Sequence, residues 1–479
     1  MKVKKNGSDN VIQVKSLEVA KYLSNNMNQE QANHIKRILH FQEFKSQPKL
    51  FKDKSNHPND TITWIYKTLL CFFKKPSFKI MQIPFIKPPS FIFIVHGKIF
   101  HKTRLLFRAF GKGLTIALAM ASLYGEFIER IQAGFFFSQN PYKPRVIPYF
   151  EPSNSEIITD EMKKLNFQDF FPLFKEKCYP FVEKFLPTEK EFSYYCPYQD
   201  LISKKIIWIS TRVNRFTTGF ASGNSYEEAF VQAFCEIVER YSSFMVLKNQ
   251  IKLPTIPNHK LSSQIQNIIK KFEQEGIQII IKDASLDLNI PSVAVLFNFE
   301  KRKSKRFLIT FGAASSLDVA VERCLGEAEQ DANSLTTRNI FNHIYCRSII
   351  NLYKTFPHLE KILSLRDYFV ESYAQCNFFP FEYVEFLKED NGAPEYEEFY
   401  KIDLLDEINY IFHFLGRKDY RIYMKDCNWL GFPCIKLFIP ELNVGYGQLI
   451  KYSNFKFEKF KQKLLTNFSG IIKDDLKVF

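Results

Sequence analysis

The sequence predicts a mixed α/β fold with substantial sheet, and three observations carry that expectation. After Pro254, helix-like and strand-like segments alternate in a regular rhythm. Short runs rich in Ile, Val and Phe, bounded by Gly and Pro, read as strands in both halves of the chain. Two helical stretches about 110 residues apart repeat one acidic pattern, each beginning just after a glycine. Layers of helix and sheet around shared cores are the architecture that such alternation serves.

The elements follow in order. Residues 1–50 form a polar extension with a helical stretch around "SLEVAKYLSNNMNQEQANHIKRILHF". "TITWIYKTLLCFFKK" from residue 61 has helical periodicity, and "FKIMQIPFI" and "SFIFIVHGKIF" read as strands edged by proline. A Gly-Lys-Gly at 111–113 is expected to open a helix over about 114–135. Residues 140–200, rich in Pro, Tyr and Phe, read as an irregular insertion, and "KKIIWISTRV" as a strand. A helix then starts at "SYEE", where Ser225 and Glu228 have the spacing of a capping box. "SSQIQNIIKKFEQEG" is a helix with a glycine stop, followed by strands "IQIIIKDAS", "PSVAVLFNF" and "RFLITFG" and a helix from about 318. "INYIFHFLGRKDYRIYMKDCN" gives helix then strand, and "GFPCIKLFIP" a last strand.

Composition narrows the function classes. At 479 residues with 46% apolar and 24% charged residues, the chain is globular rather than disordered. No apolar run approaches the roughly 18 residues of a membrane span, and the basic start lacks the apolar stretch of a signal peptide, so a cytoplasmic location is expected. Nine scattered cysteines without a CxxC pair fit reduced thiols, and nine histidines without HExxH give no zinc site. The net charge of +15 is concentrated: residues 1–110 hold 20 Lys and Arg against 6 Asp and Glu, the remainder 46 against 45. Between Asp60 and Glu126 there is no acid, which points to a surface for an anionic partner.

The acidic pattern is the chemical signal. Glu228, Gln232, Glu236 and Glu239 fall within about 80° of one another on a helix at about 100° per residue. Packing does not need such a stripe, and like charges at these spacings weaken a helix. "ALAMASLYGEFIERI" repeats it: Glu126 aligns with Glu236, Glu129 with Glu239, Arg130 with Arg240, Ser122 with Gln232. A third helix, "LDVAVERCLGEAEQ", puts Arg323, Glu327 and Gln330 on one face. Four carboxylates on partly buried helices need neutralising, and two arginines neutralise two at most. The rest fits Mg²⁺, which takes one or two protein carboxylates and completes its shell with water and phosphate oxygens. The chain has no GxxxxGK[ST] loop and no kinase HRD/DFG set, so the stripe points to nucleoside-triphosphate chemistry by another route.

These segments resemble the YcaO proteins. "GKGLTIALAMASLYGEFIER", "ASGNSYEEAFVQAFCEIVER" and "FGAASSLDVAVERCLGEAEQ" match three family signatures in order, and "MKDCNWLGFPCIKLFIPEL" is similar to the family's last core strand. The resemblance spans roughly 50–450 and implies several sheet and helix layers enclosing a nucleotide site. It implies enzymes that use ATP and Mg²⁺ to phosphorylate a peptide backbone amide oxygen after a nucleophile adds to the carbonyl carbon. On this resemblance Glu126, Glu129, Glu236 and Glu239 match metal-binding acids, and Ser122, Asn224, Glu228, Gln232 and Arg240 match positions touching nucleotide or its metals. Arg323 matches a phosphate-contacting arginine, and Lys54 and Thr61, seven apart, match a nucleotide-contacting Lys and Ser/Thr.

The expected organisation is an extension (1–50), a catalytic domain (51–450, its basic part 51–112) and a tail (451–479). Azoline-forming members end in PxPxP, whereas this sequence reads "IIKDDLKVF" with no proline after Pro440. That departure favours thioamide or amidine formation, or the assistance some members give to modification of a ribosomal protein, over azoline formation. The partners implied are a peptide or protein substrate, with an acidic segment if the basic region binds it. A further protein for substrate recognition or sulfur delivery and a second copy in a homodimer are also implied, and a membrane is not. Rival readings are a scaffold that keeps the fold without the chemistry, which four intact carboxylates oppose, and a nucleic-acid binder, which lacks any reading motif.

Overall fold

The structure, a computed structural model, describes residues 43–72, 77–82, 92–101, 104–133, 164–165, 195–210, 218–298, 306–333, 378–380, 385–428 and 430–442. Its elements run α1 (Pro58–Phe72), β1 (Ser77–Gln82), β2 (Phe93–His101), β3 (Arg104–Gly113), α2 (Ile116–Gln132), β4 (Lys164–Leu165), β5 (Tyr195–Asp200), β6 (Ile206–Ser210) and β7 (Phe220–Ser222). Then come α3 (Tyr226–Asn249), α4 (Ser263–Gln274), β8 (Gln278–Asp283), β9 (Ser292–Asn298), β10 (Arg306–Ala313), α5 (Leu317–Asn333), β11 (Phe378–Pro380), α6 (Leu404–Arg417), β12 (Tyr423–Asp426) and β13 (Cys434–Phe438). The expected helix within 16–41, the tail at 451–479 and most of the expected insertion lie outside the described residues.

Three sheets organise these elements. β1-β2-β3 is an antiparallel meander, β11-β10-β9-β8 a second antiparallel sheet, and β4-β6-β5-β12-β13-β7 a third, antiparallel apart from the β4–β6 pair. Each carries a helical layer. α1 and α2 bury Leu69, Leu123, Phe127 and Ile128 against Val95 and Ala109 of the meander. α4 has apolar residues at 265, 268, 269 and 272, the spacing of one helical face, and packs with α5 on the second sheet. α3 lies at the centre, its Phe230, Phe234 and Val238 buried with Ile408, Ile411 and Phe414 of α6 and Ile435 and Leu437 of β13.

Each motif-bearing helix follows a strand of a different sheet: α2 follows β3, α3 follows β7, α5 follows β10. Glycine permits two of these junctions. A Cβ at Gly111 would stand 1.9 Å from the Ala119 carbonyl oxygen, and one at Gly312 would stand 2.6 Å from that of Ala320. The strand therefore lies against the first turns of its own helix, closer than any side chain allows.

The Gly-Lys-Gly differs from expectation: it ends β3 rather than opening a helix, and Thr115 caps α2 by accepting from the Leu118 amide at 3.2 Å. Tyr195–Asp200, expected to be irregular, forms β5, paired on both edges by β6 and β12. Residues 43–50 are held to α6: the Gln47 carbonyl accepts from the Leu404 amide, and Lys49 meets Glu407 at 2.6 Å, both side chains buried. Among the described residues Cys235, Cys324, Cys427 and Cys434 are buried thiols outside any disulfide, and no helix is long and apolar enough to cross a membrane.

Candidate functional site

One group gathers at the N-terminus of α3. Ser225 caps the helix by accepting from the Glu228 amide at 3.1 Å. The Glu228 side chain does not return the bond to Ser225, as a full capping box would. It accepts instead from the Ser55 amide (2.9 Å), the Ser55 hydroxyl (2.8 Å) and the Asn224 carboxamide (3.0 Å), with Lys54 Nζ 3.8 Å away. Thr61 donates to Asn224 Oδ1 at 2.7 Å. Positions 54 and 61, read from a short sequence match, are thus brought onto the first turn of α3. Arg323, on α5, donates to the Gln232 carboxamide oxygen (2.6 Å) and the Ala313 carbonyl (2.9 Å), and its guanidinium lies 3.6 Å from Asp53. Asp53, Lys54, Glu228, Gln232, Arg323 and Glu407 line a common cavity. Burial pushes the Asp53 carboxyl up, but Lys54 and Arg323 outweigh it and hold it at about 2.

A second group lies further along the same helices. Ser122 sits one turn before Glu126 on α2, and Gln232 one turn before Glu236 on α3. Glu126 accepts from the Phe110 amide at 2.9 Å and from Arg130 at 3.3 Å. Glu236, its counterpart in the repeat, accepts from the Gly219 amide at 3.1 Å. In both helices the first acid of the pattern is fixed by a backbone N–H of the preceding strand segment. Glu129 and Glu239, the second acids, are pushed up to about 8. Burial is the main cause for each; Glu236 and Glu126 add to it at Glu129, and Glu327 and Glu236 at Glu239. Arg240 stands half in solvent with its guanidinium 3.8 Å from Glu239.

Three further side chains of the candidate site escaped the sequence assignment. Glu327 of α5 joins the acids and takes a 2.7 Å ion pair from Lys112 of the Gly-Lys-Gly. Burial would raise it, but Lys112 and Arg240 outweigh that and hold it below the ordinary value. Its place on the Arg323 face was a signal available in the sequence; Gln330 lies outside the described side chains. Lys436 is fully buried in β13, donates to the Thr218 carbonyl and stands 4.5 Å over the Phe220 ring. Burial pushes its amine down to about 7, against the pull of Glu236 and Glu129. A lysine in the middle of "PCIKLF" was its only trace. Asp53 had none beyond its neighbour Lys54.

The arrangement offers carboxylate and carboxamide oxygens from three helices beside fixed cations, a donor set suited to a hard divalent ion and phosphate oxygens. Two of the carboxyls hold their protons near neutrality because burial and neighbouring acids outweigh the pull of Arg130 on Glu129 and of Arg240 on Glu239. Among the described residues no three acids enclose an ion by themselves. Mg²⁺ does not require it, since one or two carboxylates suffice when water and phosphate complete the shell.

Comparison with known proteins identifies the family. Residues 110–443 match the model of the YcaO cyclodehydratase family, which is described as ATP- and Mg²⁺-binding. The chain belongs to the YcaO family, and the cofactors expected from the sequence, ATP and Mg²⁺, are those of the family. It is 23% identical over 402 residues to the ribosomal protein S12 methylthiotransferase accessory factor YcaO of Escherichia coli, covering 77% of this chain and 63% of that one. Its fold is similar to YcaO from Methanopyrus kandleri bound with AMPPCP and Mg²⁺ (TM-score 0.54, 15% identity, 85% of this chain and 97% of that one). It is also similar to a heterocyclase in complex with substrate and cofactor (TM-score 0.57, 16% identity, 85% and 55%). The chain spans less than two thirds of the length of the E. coli relative and of the heterocyclase.

Proposed function

We propose that the chain uses ATP and Mg²⁺ to activate a backbone amide of a peptide or protein, leading to a modification such as a thioamide, azoline or amidine. The observation that carries the reading is the pair of raised carboxyls, Glu129 and Glu239, on the two repeated helices that also present Glu126 and Glu236. A surplus of buried negative charge between two helix faces is costly unless cations join it. Mg²⁺ and the nucleotide supply, when bound, a phosphoryl group and the charge to stabilise its transfer.

The chain's own work is positioning. Glu126 and Glu236, held by backbone amides, are the ordered metal-facing acids, and Glu129 and Glu239 give up protons as cations arrive. Arg323, fixed by the Gln232 oxygen and the Ala313 carbonyl, presents its remaining N–H groups to phosphate. Arg240 is placed to do the same, and Lys54, Thr61, Asn224, Glu228, Gln232 and Ser122 order the nucleotide's surroundings. A pre-set cage of this kind needs no reorganisation at the moment of transfer.

The test is calorimetric titration with Mg²⁺–ATP, followed by ADP release with and without peptide. Glu126→Gln and Glu236→Gln should each lose at least tenfold in turnover, and parental behaviour in both would remove the assignment. A second reading, accessory action in ribosomal-protein modification, is favoured by the E. coli relative and retains the same nucleotide site. In either case the reading includes a cytoplasmic setting, a homodimer and a partner protein for recognition or sulfur delivery.

A further inference from the structure

The acids that line the cavity beside α3, α5 and α6 are Asp53, Glu228 and Glu407, and they are held in two different ways. Glu228 accepts from the Ser55 amide, the Ser55 hydroxyl and Asn224 at 2.9, 2.8 and 3.0 Å. Glu407 accepts from Lys49 at 2.6 Å and from the Lys401 amide at 3.0 Å. Asp53 instead faces two cations read above as nucleotide contacts, Lys54 at 3.4 Å and Arg323 at 3.6 Å. Both distances exceed the about 2.7–2.9 Å of a charge-assisted hydrogen bond. This carboxylate therefore neutralises the pair without being locked to it. Its charge is present at neutral pH, since the carboxyl is held at about 2.

The segment that carries Asp53 is firm at one end and loose at the other. Residues 51–54 form a tight turn, in which the Lys54 amide donates to the Phe51 carbonyl at 2.9 Å. Ser55, directly after it, is buried and donates twice to Glu228. The tip is tied down by exposed groups: Lys52 meets Glu322 of α5 at 3.2 Å, and the Tyr400 hydroxyl donates to the Lys52 carbonyl at 3.2 Å. Exposed ion pairs contribute little. Lys52 itself has a φ of 50°, in the left-handed region that a β-carbon disfavours. Displacing the tip thus breaks weak contacts and relieves that conformation, while Ser55 keeps Lys54 in place.

We propose that Asp53 stands in for a phosphate group: in the ligand-free protein it fills the space between Lys54 and Arg323, and a bound nucleotide displaces it. The proposal rests on the ATP reading above and adds a regulation of that site, since the turn at 51–54 sets how readily nucleotide enters. A phosphate group carries three acceptor oxygens and is free of the turn, so it can approach the ammonium and the guanidinium together. Asp53 cannot stay beside it, because two anions sharing one enclosed site repel. An internal competitor lowers apparent affinity by the fraction of time that the site is vacant. A space filled about nine-tenths of the time binds about tenfold more weakly. The other role for such a carboxylate, holding a metal ion, is opposed by two cations this close, and it predicts an effect of opposite sign.

The test is calorimetric titration of the full chain with Mg²⁺–AMPPCP and, separately, with inorganic tripolyphosphate, which carries phosphates without the nucleoside. Asp53→Asn and Asp53→Ser, neutral at the same place, should each bind both probes about tenfold more tightly than the parent. Asp53→Glu, which keeps the charge, should stay within about threefold of the parent. Circular dichroism checks the fold of each variant, and either neutral variant alone decides the matter. Unchanged affinity in the neutral variants overturns the proposal. Weaker binding overturns it in favour of Asp53 as a ligand of the nucleotide or its metal. An equal gain in Asp53→Glu also overturns it, because the charge would then not be the competitor. A parent that fails to bind Mg²⁺–AMPPCP removes the proposed function, and the tripolyphosphate titration still decides whether Asp53 competes for an anion site. A parent that binds nucleotide while the neutral variants show no gain removes this inference alone.

Discussion

Replacing Glu129 with glutamine is expected to stabilise the metal-free protein while removing the stabilisation that Mg²⁺–nucleotide provides. Burial, with Glu236 and Glu126, raises this carboxyl from 4.5 to about 8, against the opposing pull of Arg130. Between those values the folded protein keeps a proton that the unfolded chain releases. The contribution of this group to stability is therefore best at or below pH 4.5, falls as pH climbs to 8, and is level above that. Each pH step costs about 1.4 kcal/mol, so the ceiling is about 3 kcal/mol at pH 7 and about 5 kcal/mol at pH 8. Glu129 is only half-buried by its neighbours, and water lowers the expected difference to about 1–2 kcal/mol. Glutamine keeps the shape and does not titrate. Urea unfolding of parent and variant at pH 5, 6, 7 and 8, without metal, should give curves that meet near the acid end and separate with rising pH, the variant above. With Mg²⁺ and a non-hydrolysable ATP analogue at a hundredfold excess over its dissociation constant, the parent should gain about 2.7 kcal/mol. The variant should gain little. Parallel pH curves, or equal stabilisation of both proteins by the nucleotide, would refute the reasoning.

Proton release is a companion prediction: Glu129 and Glu239, both at about 8, hold protons at pH 7, so Mg²⁺–nucleotide binding should release one to two of them. Calorimetry in two buffers of different ionisation enthalpy measures this, and zero release contradicts the metal-facing assignment. Arg323→Lys should weaken nucleotide binding by at least tenfold, since one ammonium cannot hold Gln232 and Ala313 and also face phosphate; parental affinity would make Arg323 a structural residue only. Gly312→Ala should cost about 2–4 kcal/mol in denaturant unfolding, because the added methyl meets the Ala320 carbonyl oxygen and Cys324 Sγ within 2.8 Å, and an unchanged midpoint would mean that β10 and α5 part freely.

The helices and their acids were legible because both depend on local periodicity. Ala119 and Ala229, each seven residues before a Glu-x-x-Glu-Arg, pack at 0% exposure, and the acids, two and three turns further on, lie within about 80° of them on the same side of the helix, as the spacing requires. What escaped depends on pairing across the chain. β3 reads as a basic stretch because Arg104 and Arg108 interrupt its apolar alternation, and only its partner β2 makes it a strand. β5 carries a proline inside "YCPYQD", which argues against a strand paired on both sides, yet it pairs with β6 and β12. Lys436 sits in an apolar strand whose neighbours explain it only in three dimensions: the Thr218 carbonyl and Phe220 come from β7 and the turn before it. Asp53 and Glu407 line the cavity from segments some 350 residues apart, a proximity no local pattern encodes.

The repeat explains why the acids divide into two kinds. In α2 and α3 the first glutamate of the pattern lies where the preceding strand segment offers a backbone N–H, from Phe110 to Glu126 and from Gly219 to Glu236. An N–H donor favours the ionised form and fixes the side chain's direction. The second glutamate, three residues on, lies beyond that donor and is raised mainly by burial, with Glu236 and Glu126 adding to it at Glu129 and Glu327 and Glu236 at Glu239. One acid of each pair is thus held in place by a backbone N–H, and the other is raised to about 8. The third helix uses the same strand-and-turn junction to supply a cation and an acid, Arg323 and Glu327, each already paired within the protein. Three strand-to-helix junctions, two of them closed by glycine against the helix's own first turns, thus bring the acids and cations of the candidate site together.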